Sequence, residues 1–189
     1  MSADETVRYR IEPNRSRFTV RAFAGGMLSA LAHNPTFAVR DFSGEAELAP
    51  NSLEGASLRL RARAESLELT DQVSDKDRKE IERLMREQVL EAGRYPEIVF
   101  ESAGTSAVRI SDGWYRFNIT GELSLHGVAN RCSFDTNVWI TESTLRAQGE
   151  FPLRQTDYNI KLVSAAGGTI KVKDELKFAF DIMANKEGG

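Results

Sequence analysis

The sequence predicts a mainly β protein, a closed antiparallel up-and-down β-barrel with about eight strands and one inserted amphipathic α-helix. Three observations predict it. Apolar and charged residues alternate with period two in segment after segment, the mark of half-buried antiparallel strands. Strands with one apolar and one charged face do not suit a parallel sheet, which is buried on both sides. One segment, 74–91, clearly switches to helical spacing, and so many strands favour closure over exposed edges.

The predicted strands follow in order. In RSRFTVRA, Phe18, Val20 and Ala22 share a face against Arg17, Thr19 and Arg21. In FSGEAEL, Gly44, Ala46 and Leu48 oppose Ser43, Glu45 and Glu47. SLRLRARAESL sets Leu58, Leu60, Ala62 and Ala64 against Arg59, Arg61, Arg63 and Glu65. After Tyr95-Pro96, Ile98, Phe100 and Ser102 share a face, and the following residues read as a spacer. WYRFNITGEL sets Tyr115, Phe117, Ile119 and Gly121 against Trp114, Arg116, Asn118 and Thr120. CSFDTNVWI aligns Cys132, Phe134, Thr136, Val138 and Ile140, and STLRAQGEFPL aligns Leu145, Ala147, Gly149, Phe151 and Leu153. ELKFAFDI closes the series with Leu176, Phe178, Phe180 and Ile182.

From Ser74 to Glu91, Ile81, Leu84, Met85, Gln88 and Val89 fall on one helical stripe. Ser74 with Asp77 forms a capping pair, Gly93 is a natural stop, and Pro96 prevents continuation. A weaker helical pattern runs from Gly25 to Asn34. Pro50-Asn51 reads as a turn, Ser164–Gly168 as a flexible connection, and the tail NKEGG as loose.

The 189 residues read as a single domain spanning 1–189, with an ordered core at about 6–184, long enough to bury a core without disulfide or metal. With 41% hydrophobic and 28% charged residues and a net charge of −3, the composition speaks against disorder and gives no reason to expect nucleic acid. Cys132 is a single cysteine, so an intramolecular disulfide is excluded. MSADETVRYRIEP has no apolar signal core, and no segment reaches the apolar length of a membrane span. As written the chain reads as cytoplasmic, or as periplasmic where a leader has been removed from it.

Motifs then add a family. Ser16-x-Phe18-x-Val20 opens the pattern, and Phe42-Ser43-Gly44 follows the first connection. Tyr95-Pro96-x-Ile98-x-Phe100-x-Ser102 and Gly121-x-Leu123-x-Leu125-His126-Gly127 come next, then Asp157-Tyr158-Asn159-Ile160 and a closing strand. With these motifs the chain resembles the YceI-like family of lipocalin-type barrels, which bind polyisoprenoid and related lipids. Asn159 replaces the usual glycine but tolerates the same left-handed turn. The paired aromatics usual before Tyr95-Pro96 are missing from REQVLEAG, and His33 lies in a variant of the family's early histidine region.

The resemblance implies a non-catalytic carrier of a polyprenyl or quinone-like lipid held in the barrel interior, with no resident cofactor and with homodimerisation left open. The candidate cavity lining is the inward set Phe18, Val20, Ala22, Leu58, Leu60, Ala62, Ile98 and Phe100 from the first half. Tyr115, Phe117, Ile119, Phe134, Ala147, Phe151, Phe178 and Phe180 complete it. Small inward residues such as Gly44, Ala46, Ala62, Ala147 and Gly149 leave space between aromatic walls, unless the interior is simply a dry core.

The alternative is an enzyme acting on a small apolar substrate in the same cavity, with His126 or His33 as acid–base. The duller reading of His126 is a side chain that ties its own turn. Two histidines and one cysteine in no metal-binding spacing give no metal site. No G-x-S-x-G or phosphate loop is present, and an inward Cys132 behaves as a small hydrophobe. The row Arg59, Arg61, Arg63 reads as cross-strand ion pairing with Glu45 and Glu47. A protein-interaction module would need an exposed apolar patch, which the charged outer faces oppose.

Overall fold

The computed structural model describes residues 6–25, 34–49, 52–165 and 170–188. In chain order its strands are β1 (Val7–Ile11), β2 (Arg17–Arg21), β3 (Ala24–Gly25), β4 (Thr36–Val39), β5 (Phe42–Ala49), β6 (Ser52–Arg63) and β7 (Leu67–Leu69). Helix α1 (Asp75–Leu84) follows. The remaining strands are β8 (Glu97–Ser111), β9 (Trp114–Leu125), β10 (Val128–Ile140), β11 (Thr144–Arg154), β12 (Ser164–Ala165), β13 (Ile170–Val172) and β14 (Glu175–Lys186).

Short strands combine into longer bent ones. β1 and β2 both lie along β14, separated by a 3-10 turn at Pro13–Arg15 where proline withholds its N–H from the ladder. β5 pairs with β1 and β4 with β2, and the bend falls at Arg40-Asp41. β6 pairs with β5 and β7 with β4, bent at a 3-10 turn over Ala64–Ser66. Three bent strands plus β8, β9, β10, β11 and β14 make a closed antiparallel ring of eight, sealed by β1 against β14. Each neighbour in the ring is the next in sequence, the up-and-down order expected from the alternating segments.

Several local features differ from the sequence reading. The spacer after Ser102 is strand: β8 continues to Ser111, passing a bulge between Ser102 and Gly104. A bulge adds one residue and reverses the alternation, so Ile98 and Phe100 face inward before it and Thr105 and Ala107 after it. The SAAGG connection is partly built into structure, because β12, β13 and β3 form a small second sheet. The tail is tied down as far as Glu187, whose N–H donates to Arg8 O at 2.8 Å and whose carboxylate takes Arg10 at 2.5 Å. The Pro50-Asn51 turn and nearly all of the weak helical pattern at Gly25–Asn34 fall outside the described residues.

The inserted helix starts as expected. Ser74 Oγ accepts the Asp77 N–H at 3.1 Å and donates to Asp77 Oδ2 at 2.7 Å. It ends differently, widening into a π turn over Met85–Val89 and stopping at Glu91, which takes φ 44, rather than at Gly93. The wider turn rotates the stripe, so Met85 is buried and Gln88 is exposed. The helix covers the free edge of β7. Glu82 accepts the Leu69 N–H at 3.0 Å, while the Arg78 guanidinium donates to the carbonyls of Leu69 and Asp71.

Candidate functional site: an apolar cavity inside the barrel

The inward faces enclose a cavity of about 130 Å³. Of the residues expected to line it, Phe18, Leu58, Leu60, Ala62, Ile98 and Phe100 do so from the first half of the ring. Phe117, Ile119, Phe134, Ala147, Phe151, Phe178 and Phe180 do so from the second. Their rings form a continuous wall. Phe134 stacks on Phe151 at 4.8 Å between centroids and Phe151 on Phe178 at 5.4 Å. Phe100 and Phe180 flank Phe134 at 5.4 and 5.8 Å.

Three expected residues stand elsewhere. Val20 pairs between Phe37 and Phe178 in a packed layer beside the β7 end, and is buried without reaching the cavity. Ala22 lies past the end of β2, its N–H donated to Pro35 O at 2.9 Å. Tyr115 sits at the start of β9, half-buried, its ring edge-on to Phe117 at 6.4 Å. Alternation gives the face of a residue but not whether its side chain borders the open volume.

The wall also contains residues outside the expected set. Val138, Leu145 and Ile182 belong to faces already read as inward, whereas Ile11, Val39 and Ala184 come from short or terminal strand segments. Ala56, Ser57 and Thr105 follow from irregularities in β6 and β8 that carry no sequence signal. Thr136 is fully buried in the wall, and its hydroxyl is turned away, donating to Gln148 O at 3.0 Å. The surface offered to a ligand is therefore almost wholly carbon.

Inward glycines do not supply the space. A β-carbon at Gly121 would stand 2.5 Å from Phe100 Cζ, and one at Gly149 would stand 2.6 Å from Phe180 Cζ. Both positions are seats that let the far edge of a ring approach the sheet. At Gly44 the same atom would meet Arg59 O at 2.6 Å. The open volume adjoins Ala46, Ala62 and Ala147 instead.

His126 is not a cavity residue. It occupies the β9–β10 turn with φ 52, its Nδ1 3.1 Å from Tyr158 O and its Nε2 2.8 Å from Glu91 Oε2. The ring packs on Tyr95 at 4.6 Å. It joins the end of the helical insert, the hairpin and the 3-10 turn at Gln155–Tyr158 in one clamp. Asn159 takes φ 56, the left-handed conformation anticipated for it. Burial pushes the Tyr158 phenol up to about 12, with the nearby Cys132 and Asp157 adding to the effect. Burial likewise raises the half-buried Cys132 thiol, which leaves it in the form of a small hydrophobe. His33 lies outside the described residues. Among the described residues no three His, Cys, Asp or Glu side chains gather as a metal site, and no helix is long and apolar enough to cross a membrane.

The charged outer row pairs with different partners from those expected. Arg59 takes Glu101 on β8 at 3.0 Å, and Glu47 is taken by Arg8 on β1 at 2.6 Å. Arg63 pairs locally with Glu65 at 2.9 Å.

A closed eight-stranded antiparallel barrel around an apolar interior defines the lipocalin-like class. The YceI-like domain matches residues 9–184, and the chain belongs to the YceI-like family. Solved structures share the fold. BcnA of Burkholderia cenocepacia is similar at a TM-score of 0.69 and 17% identity, over 92% of this chain and 98% of that one. A polyisoprenoid binding domain from Saccharophagus degradans, implicated in plant cell wall breakdown, is similar at 0.66 and 12%, over 95% and 98%. The Campylobacter jejuni YCEI protein is similar at 0.59 and 15%, over 79% and 84%. No curated protein matches the chain.

Proposed function

We propose that the chain is a non-catalytic carrier of an isoprenoid-type lipid, polyprenyl or quinone-like, with the tail held inside the barrel. The observation that carries this reading is the cavity itself, walled by stacked phenylalanines and almost wholly apolar. The Saccharophagus degradans neighbour, described as polyisoprenoid binding, supports the ligand class. The position of His126, bonded on both ring nitrogens away from the cavity, disfavours the enzyme reading.

The size of the cavity sets a scale. A cavity of about 150 Å³ takes a six-carbon benzene, so 130 Å³ has room for about five carbons, one isoprene unit. Burying about five carbons at about 0.8 kcal/mol each gives a gross gain of about 4 kcal/mol, so tight binding needs more of the tail than this space holds at rest. A longer tail needs aromatic side chains to move or must continue out of the barrel. Organic extraction of the purified protein, followed by mass spectrometry of the extract, tests the reading. A prenyl lipid recovered in stoichiometric amount supports it. Protein free of apolar ligand that also takes up no added prenyl lipid contradicts it.

A further inference from the structure

The two ends of the barrel interior are closed differently. One lies toward the hairpin turns at 112–113 and 141–143, the other toward the His126 clamp. On each strand, the first inward residue past the cavity wall belongs to the closure of that end. Toward the clamp, Val20, Phe37, Ala64, Leu125 and Leu153 are buried, and only Leu176 and Cys132 are half-buried. Leu69 of β7, Met85 of the helical insert and Tyr158 of the 3-10 turn are buried at the same end. Toward the hairpins the corresponding residues are Tyr9, Ala107, Tyr115, Ile140 and Lys186. Tyr9 is buried, Ala107, Tyr115 and Ile140 are half-buried, and Lys186 is exposed. Arg109, the next inward position on β8, is exposed as well and pairs with Asp112 at 2.6 Å.

The backbone is also less tied at the hairpin end. Between the pairs Glu47↔Ser57 and Ala49↔Ser52, the single residue Leu48 of β5 faces Leu53–Ala56 of β6. Among the described residues, no member of Leu53–Ala56 has a register partner on β5 or on β8. Gly55 takes φ 81 there, and the carbonyl of Ala56 accepts from the Thr105 hydroxyl at 3.0 Å. Ala56 lines the cavity, and Leu53 packs half-buried against the core. A segment with few ladder bonds and half-buried side chains opens more readily than a fully buried layer.

We infer that a prenyl tail enters and leaves the barrel at the hairpin end, past Tyr115 and the Leu53–Ala56 segment, and lies with its tip toward the clamp and its polar head at the hairpin rim. The inference rests on the carrier reading and adds to it the path and direction of the ligand. The open volume holds only part of a prenyl tail, so the chain has to run on toward one end. At the clamp end a polar head would be buried among carbon atoms with its hydrogen bonds unmade. At the hairpin rim, Arg109, Lys186 and water surround it instead.

The chain carries its own reporter of that direction. Trp114 and Trp139, its two tryptophans, both lie at the hairpin end, cross-strand neighbours on β9 and β10 with rings stacked at 6.0 Å. The test uses geraniol bearing a TEMPO nitroxide on its oxygen, with the diamagnetic N-methoxy analogue as control. A nitroxide quenches indole emission only at short range. Occupancy by each ligand is measured separately, as displacement of the apolar probe N-phenyl-1-naphthylamine.

At equal occupancy the nitroxide is expected to quench tryptophan emission severalfold more than its control, and Ala147→Phe, which fills the interior, is expected to remove the quenching. Stopped-flow exchange of the naphthylamine is expected to quicken severalfold in Tyr115→Ala and in Leu53→Ala, and to stay near the wild-type rate in His126→Ala. Bound nitroxide that leaves the tryptophans bright, or quenching that survives Ala147→Phe, overturns the inference. So does exchange that neither rim variant quickens, or that His126→Ala quickens equally. The carrier reading stands in these cases as long as the ligands displace the probe. Failure of both ligands to displace it overturns the two together.

Discussion

The tip of the Phe180 ring closes on Gly149 of the neighbouring strand, so near that a β-carbon there would stand 2.6 Å from its Cζ. Phe180 also leans on Phe18 across the next pair of strands, at 6.1 Å between centroids. The glycine therefore decides where this ring sits and how much room remains beside it. Gly149→Ala is expected to push the ring toward the cavity, to destabilise the barrel by about 1–3 kcal/mol, and to weaken uptake of a prenyl ligand. Urea unfolding together with ligand titration checks both effects. Unchanged stability and uptake would show that the ring has another resting place.

Ala62 and Ala147 face the open volume directly. Ala147→Phe fills space that a ligand would use, and is expected to abolish uptake while changing stability by less than about 1 kcal/mol, because the ring enters a void. Ala62→Phe is expected to act in the same direction. Melting temperature and ligand loading, measured on the same samples, distinguish a filled void from an overpacked core.

The His126 clamp holds three segments through two hydrogen bonds and a ring contact. His126→Ala leaves the Tyr158 carbonyl and Glu91 without this partner, and is expected to cost about 1–3 kcal/mol. Ligand affinity at temperatures where the variant is folded is expected to remain within about twofold of wild type, because the ring does not border the cavity. Lost binding in a fully folded His126→Ala protein would return the enzyme reading to consideration.

Asp181 joins β14 to β11 by accepting from Arg146 at 2.9 and 2.8 Å and from Gln148 at 2.9 Å. The Arg146 hydrogen bonds hold its carboxyl below the usual Asp value of 3.8, partly opposed by burial. A depressed folded-state value gives stability that is complete above about pH 4 and is lost as pH falls through the folded value. The pair is close to half exposed, so the contribution is expected to be below about 1 kcal/mol after screening. Asp181→Asn is expected to unfold at lower urea than wild type at pH 7, with the gap closing near pH 2. A gap that persists at pH 2 would assign the effect to packing.

Much of the barrel was legible because its strands bury one face and solvate the other. Phe117, Phe134, Phe151 and Phe180 follow from alternation alone, and the helix start follows from Ser74 and Asp77. What alternation cannot convey is a change of phase or of height. The bulge at Ser102/Gly104 makes Thr105 a wall residue and turns a spacer into strand. The π turn over Met85–Val89 exposes Gln88 and moves the helix stop to Glu91. Val20 and Tyr115 have inward phase, yet neither borders the open volume. Gly149 looks like space in sequence and is a seat in three dimensions, since the residue that occupies the space is on another strand.

The most direct measurement is native mass spectrometry of the delipidated protein with geraniol or a longer prenyl alcohol, run beside Ala147→Phe. A one-to-one adduct on the wild-type chain and none on the variant is the predicted result. An adduct of equal abundance on both proteins, or none on either, would contradict the claim that the barrel interior holds the prenyl chain.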